Sequence, residues 1–335
     1  MGYCLIIQPI HDAGKELLRE EGIEIKMASA PDMTTVRREI GGAVACITRN
    51  AGLDRAAMEA APRLLILGIH GIGTDPVAVD HAAKIGLPIA FTPFANIQSV
   101  AEYAVALMLS VARHVVTSDR AVRNVDGAYR YHTTLLEMHG KTLGIIGFGR
   151  IGRRTAEIAK AAFGMDVLVF EREIEPGLLE SLGMRRAEQV DEVFATADVI
   201  SLHLPLLPET RGFVGTREFG LMKPNAILVN TARGALIDEA ALAEALNAER
   251  IAGAGLDVFE TEPLAADHPL QQCAAAVLSP HVGGATEEAL RRTAEEVAGN
   301  VIKALKGVSP PHLVDPSVWE RRRLPSSVDV GAVRA

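Results

Sequence analysis

Three polar residues follow apolar, strand-like stretches in the second half of the chain: Arg233 after ILVNTA, Glu262 after GLDVFET, and His281 after AVLSP. A guanidinium never loses its proton, grips a carboxylate with two parallel donors, and polarises a carbonyl beside it. A histidine exchanges a proton near neutral pH, and a neighbouring carboxylate favours its charged form and fixes the ring. With a nicotinamide beside them, these three groups suit hydride transfer at C2 of a 2-oxo or 2-hydroxy carboxylate. Each also has an ordinary reading: Arg233 as a surface arginine, His281 as a hydrogen-bonded turn residue, Glu262 before Pro263 as a loop carboxylate. Their common placement decides between the two, because open parallel sheets bind ligands beyond the carboxyl ends of their strands.

A glycine loop points to the same edge. Gly147-Phe148-Gly149-Arg150-Ile151-Gly152 lies between the apolar run TLGII and an amphipathic helical pattern. In that context Gly147 allows the tight turn, Gly149 lets backbone approach a pyrophosphate, and Gly152 lets helix pack on strand. The phosphates would rest on the free N–H groups of the helix N-terminus. The next strand, MDVLVF, ends at Glu171, nineteen positions beyond Gly152, where an acid can hydrogen-bond the ribose hydroxyls. A carboxylate there disfavours a 2′-phosphate, so NAD is expected rather than NADP. Arg172 alongside is a group that could accept that phosphate.

These residues need a scaffold, and the pattern supplies an α/β one. The first hundred residues alternate strand-like YCLIIQ, IEIKMA, AVACIT and LLILGIH with helical DAGKELLREE, PDMTTVRREI and LDRAAMEAA. Strands alternating with helices imply a parallel sheet. Ser99 to Val122 reads as one long helix, with Ser99 as N-cap and Glu102 completing a capping box. A second alternating series runs from KTLGIIG to AAVLSPHVGG, and a second long helix follows from Thr286, its cap, to Gly307. Two long helices bracketing the second series suggest a domain inserted into another, with the helices crossing between them, although a simple tandem explains the strands equally well. The tail RRRLPSSVDVGAVRA lacks periodicity and reads as loose or packed on a neighbour.

Composition narrows the partners. The 335 residues are 48% hydrophobic and 4% aromatic, so the cores must be built from Ala, Val, Ile and Leu. A net charge of −8 with dispersed Lys and Arg argues against nucleic acid or an anionic membrane, while a small anionic ligand remains compatible. Cys4, Cys46 and Cys273 follow no metal or disulfide spacing and read as free thiols in a reducing compartment, with no metal site expected. MGYCLIIQPI reads as a first strand rather than a signal peptide, and no run approaches the ~18 apolar residues of a membrane span. A soluble, cytoplasmic protein is the expectation.

Together GFGRIG, LHLPLLPETRGFVG, MKPNAILVNTARGALIDEAAL, GAGLDVFETEPL and LSPHVGGAT resemble the D-isomer-specific 2-hydroxyacid dehydrogenases, especially the phosphoglycerate dehydrogenase-like branch, from about Leu64 to about Leu305. The resemblance implies two Rossmann-like parallel-sheet domains: an NAD-binding domain, 99–286, inserted into a discontinuous flavodoxin-like substrate domain, 1–98 and 287–335. It implies that Arg233 binds the substrate carboxylate and carbonyl, that His281 donates the proton in ketoacid reduction, and that Glu262 is its paired acid. Gly71, Ile72 and Gly73 in GIHGIGTD would hold the carboxylate through backbone amides, and Thr74 would lie next to the cofactor. His70, on the approach to that loop, would either sense the group on C3 or simply fill a turn. Arg150 and Ile151 would contact the pyrophosphate, Leu204, Thr231, Ala232 and Gly283 would line the cofactor's path, and Asp257 would hold the nicotinamide carboxamide.

Members of that family are usually homodimers, and the implied substrate is 3-phosphoglycerate- or hydroxypyruvate-like. This chain departs from the usual pattern by carrying Glu171 where Asp is common and Tyr129 where Trp is common. The alternatives are an NAD(H)-binding regulatory protein of the same fold and a phosphite oxidoreductase. A formate enzyme would carry Gln where Glu262 stands. With 335 residues there is no room for the C-terminal regulatory domain of longer phosphoglycerate enzymes, so feedback by serine is not expected.

Overall fold

Strands of consecutive aliphatic residues are apolar on both faces, and helices on both sides of a parallel sheet are what bury them. The computed structural model, which describes residues 2–324, contains two such units: Met1–Asn96 with Ala285–Ala335, and Ile97–Gly284. The second is therefore an insertion in the chain order of the first.

The first unit holds β1 (Tyr3–Ile6), β2 (Glu24–Met27), β3 (Ala43–Thr48), β4 (Ile66–Ile69) and β5 (Ile89–Ala90). They pair in parallel in the order β2-β1-β3-β4-β5, the flavodoxin-like arrangement. Helix Glu287–Leu305 covers one face, setting Ala294, Val297, Ala298 and Val301 against Cys4, Ile6, Ile47 and Ile66. Thr286 caps it, its hydroxyl accepting Ala289 N–H at 3.2 Å. The tail reading falls partly on described residues, and these are tied down. Arg321 donates to Ala83 O at 2.6 Å, and Arg323 to Ile85 O at 3.0 Å and Ala61 O at 3.1 Å. The rest of that reading, 325–335, lies outside the described residues.

The second unit holds β6 (Thr142–Ile146), β7 (Asp166–Phe170), β8 (Arg185–Arg186), β9 (Val199–Leu202), β10 (Ile227–Asn230), β11 (Gly253–Leu256) and β12 (Ala276–Leu278). Their order is β12-β11-β10-β9-β6-β7-β8, all parallel, so the direction of winding reverses between β6 and β9. That reversal opens a crevice at the carboxyl ends of the strands, where ligands of such sheets bind. Successive strand residues point to opposite faces. Ile145 accordingly packs with Leu107, Met108 and Val111 on one side, and Ile146 with Ile200, Leu228 and Leu256 on the other.

Two sequence expectations fail. The helix read from Ser99 to Val122 begins at Ile97, so Ser99 is a buried interior residue and not the cap. It also ends at Ala112, because His114 adopts a left-handed conformation (φ 48°), and Val115–Arg123 continues as a second helix bent by 55°. The edge strands β5 and β8, two residues each, are too short to show a period. All three cysteines are free and buried, and burial pushes Cys4 up to about 12.

Candidate active site

The glycine loop sits at the reversal point. Gly147 follows β6 with φ 95°, and a Cβ there would lie 2.7 Å from the His203 carbonyl carbon. A Cβ on Gly152 would come within 2.2 Å of Gly147 O, so the helix closes directly on the turn. Helix Arg150–Phe163 starts at Gly149, which among the described residues makes no side-chain cap, so the positive end of the helix dipole faces the turn. Arg150 is exposed and Ile151 half-buried in that first turn.

The Glu171 carboxylate accepts Phe148 N–H at 2.7 Å and its neighbour's Arg172 N–H at 2.8 Å. A carboxylate offers about four acceptor positions, so two remain for ribose hydroxyls. Arg186 Nη2 stands 3.4 Å from the carbonyls of Glu171 and Arg172. Beneath the loop His203 pairs with Ser201 Oγ at 2.9 Å, and burial pushes its pKa down to about 4, so the ring is neutral. Leu204 follows, half-buried against Gly147. The uncapped helix end, the cradle that side chains would fill and the available carboxylate fit a dinucleotide.

Arg233 lies three residues beyond β10, on a turn shaped by Asn230. That side chain is fully buried; its Oδ1 accepts Ala232 N–H at 2.9 Å and its Nδ2 donates to Arg233 O at 2.7 Å. Arg233 is half-buried and donates from Nη1 to Ala232 O at 2.7 Å. Gly234 is required next: a Cβ there would stand 1.9 Å from the Phe259 carbonyl carbon and 2.2 Å from Glu260 N. The arginine turn is thus pressed against the segment leading to Glu262. Thr231 is buried, and its hydroxyl has no hydrogen-bond partner among the described residues.

His281 and Glu262 meet directly, with Nδ1 at 2.9 Å from Oε2 and 3.2 Å from Oε1. Burial alone would push the Glu262 carboxyl up. The hydrogen bond and charge of His281, with Phe259 N–H and the Arg233 guanidinium, outweigh it and hold the group below its ordinary value. Arg233, Glu262 and His281 are therefore brought together within this one unit. Asp257 is buried beneath His281, its Oδ1 accepting Ser279 O–H at 2.7 Å and Val282 N–H at 2.9 Å, and its Oδ2 accepting Gly283 N–H at 2.8 Å.

The first unit carries the other candidates at the end of β4. Gly71 N–H is already taken by Thr92 Oγ1 at 2.8 Å, which leaves Ile72 and Gly73 as the amides of that loop without a hydrogen bond among the described residues. Thr74 is half-buried, its carbonyl accepting Val77 N–H at 2.9 Å. His70 is buried, its Nε2 without a hydrogen-bond partner among the described residues, and burial followed by the Arg49 charge pushes its pKa down to about 4. Sequence reasoning passed over Asn230, Ser279 and Thr92. A buried-strand Asn three residues before the arginine was the available signal for the first; a hydroxyl two residues before the histidine was a weaker one for the second.

Comparison with known proteins bears on the same residues. Residues 105–283 match the family described as D-isomer specific 2-hydroxyacid dehydrogenase, NAD binding domain. The chain is 42% identical over 289 residues to a glyoxylate reductase of Thermococcus litoralis, covering 84% of this chain and 85% of that one. It is 37% identical over 304 residues to a D-3-phosphoglycerate dehydrogenase of Methanocaldococcus jannaschii, covering 90% of this chain but only 57% of the other. Among solved structures, an NADPH-dependent glyoxylate/hydroxypyruvate reductase of Sinorhizobium meliloti, in complex with NADP and malonate, superposes with a TM-score of 0.84 at 27% identity, covering 96% of this chain and 99% of that one.

Proposed function

The chain belongs to the D-isomer-specific 2-hydroxyacid dehydrogenase family, and on that footing we propose that it transfers a hydride between C2 of a small 2-hydroxy or 2-oxo carboxylate and the nicotinamide of NAD. It is an oxidoreductase acting on the CH–OH group with a nicotinamide cofactor. The observation that carries the finer reading is the 2.9 Å pair of His281 and Glu262, with the Arg233 charge reaching the same carboxylate.

The bound cofactor would supply or accept the hydride. Its pyrophosphate would lie on the N–H groups of Arg150 and Ile151, its ribose on Glu171, and its carboxamide on Asp257, with Thr231, Ala232, Leu204 and Gly283 alongside. Arg233 binds the substrate carboxylate and polarises the C2 carbonyl. His281 gives its proton to the C2 oxygen during reduction and takes it back during oxidation, while Glu262 orients the ring and balances the charge it gains. NAD is favoured over NADP by the Glu171 carboxylate. A glyoxylate- or hydroxypyruvate-sized acid is favoured by the near full-length match to the glyoxylate reductase. Buried free thiols agree with a cytoplasmic setting, and we expect a homodimer.

A screen of NADH and NADPH oxidation against a dozen 2-oxo acids tests this, with glyoxylate, hydroxypyruvate and phosphohydroxypyruvate included. Turnover by the wild type should fall about a hundredfold or more in His281→Gln, and Arg233→Ala should lose kcat/KM for every acid accepted. Unchanged kcat/KM in Arg233→Ala removes the clamp. Tight NADH binding with no turnover would favour a regulatory protein, and NAD reduction by added phosphite would favour a phosphite oxidoreductase.

A further inference from the structure

Four hydrogen bonds close on one aspartate around the histidine. Asp257 is 1% exposed, and its carboxylate takes the Ser279 hydroxyl and the Val282 and Gly283 amides, while its carbonyl takes His281 N–H at 2.7 Å. The donors come from both sides of His281 in the chain. His281 itself stands at φ 54°, a left-handed conformation that an L residue keeps only when its surroundings hold it there. Bonds from positions 279, 281, 282 and 283 to a single residue do hold it.

We infer that Asp257 is a positioning residue for proton transfer, its carboxylate fixing the 279–283 turn so that the imidazole stands against Glu262. The inference rests on the reading of His281 as acid and base. The family resemblance gives the same carboxylate only a contact with the nicotinamide carboxamide, and acceptor arithmetic reconciles the two roles. Of about four acceptor positions on a carboxylate, the turn uses three, two on Oδ1 and one on Oδ2. One position on Oδ2 is left, enough for a single amide N–H. Asp257 would then join hydride carrier and proton carrier through one group. Only the ionised carboxylate can do so, since a protonated oxygen or an amide nitrogen would set a donor against a donor.

Three variants test the inference by two readouts. Asp257→Asn places an NH2 group against the turn, Ser279→Ala deletes one bond and keeps the carboxylate, and Ser279→Thr restores the hydroxyl. Hydrogen exchange of the Val282 and Gly283 amides in the NADH-free protein should be slow in the wild type. It should be faster by about fivefold in Ser279→Ala, the scale of one ordinary hydrogen bond, and faster still in Asp257→Asn. Ser279→Ala should lower kcat by a similar factor while KM and the NADH dissociation constant hold, and Ser279→Thr should restore kcat. Asp257→Asn should lower kcat by about a hundredfold, the scale of a misplacement near 1 Å at the reacting groups. Wild-type exchange and kcat in Ser279→Ala would overturn the inference, as would an Asp257→Asn protein that loses only NADH affinity. If the wild type binds NADH but reduces no 2-oxo acid, the proposed function fails separately, and the exchange rates still decide whether Asp257 holds the turn.

Discussion

Replacing Gly234 with alanine asks whether the arginine turn and the Glu262 segment behave as one piece. The new Cβ would sit 1.9 Å from the Phe259 carbonyl carbon and 2.3 Å from its Cα, all of it backbone with no rotamer to yield. Carbon–carbon contacts settle at about 3.5–4.0 Å, so the two segments must part by roughly 1.6 Å or more. Overpacking of this kind costs about 1–3 kcal/mol of stability, which a two-unit protein of this size should survive. The chemistry should not. Phe259 N–H bonds Glu262 Oε1 at 3.2 Å, and Glu262 holds His281 at 2.9 Å, so a displaced Phe259 carries the acid away from the imidazole. A misplacement near 1 Å can cost about a hundredfold, and kcat/KM for the best 2-oxo acid should drop by at least that much. Steady-state kinetics, with circular dichroism to verify the fold and NADH fluorescence to verify cofactor binding, makes the measurement. A folded Gly234→Ala enzyme with wild-type kcat/KM would refute the mechanical link between Arg233 and the Glu262–His281 pair.

Asn230→Asp should remove the donor to Arg233 O and bury an unpaired charge, costing about 3–5 kcal/mol, with kcat/KM falling at least tenfold; urea unfolding and kinetics on one preparation would check both. His70 and His203 are neutral in the fold with values near 4, against 6.5 in the open chain. Because the unfolded chain takes up protons that the fold refuses, their contribution is whole above pH 6.5 and is lost as pH falls from 6.5 to 4. Urea midpoints should fall across that window, and His70→Gln should flatten the slope. Arg323→Ala strips the charged donor from Ile85 O and Ala61 O, and should lower the thermal midpoint, at about 1.5–3 kcal/mol per bond to a charged group before solvent screening, with kcat unchanged.

Local pattern was enough for the parts whose reasons are local. The alternation of aliphatic runs with amphipathic stretches announced parallel sheets, the spacing of Gly147, Gly149 and Gly152 announced a tight strand-to-helix turn, and Thr286 announced a helix start. The positions of Arg233, Glu262 and His281 after strands were also legible, because each follows an aliphatic run that reads as a buried strand. Hidden from that reading was everything set by partners distant in the chain. Thr92 takes the Gly71 amide from 21 residues away, and Asp257 collects the histidine turn from 22 to 26 residues away. The left-handed break at His114 and the start of helix Ile97–Ala112 two residues before Ser99 carried no local signal either. A sequence states which groups can donate, accept or stay dry; a buried hydrogen bond also needs two segments to arrive at under 3 Å, and only the folded chain settles which ones do.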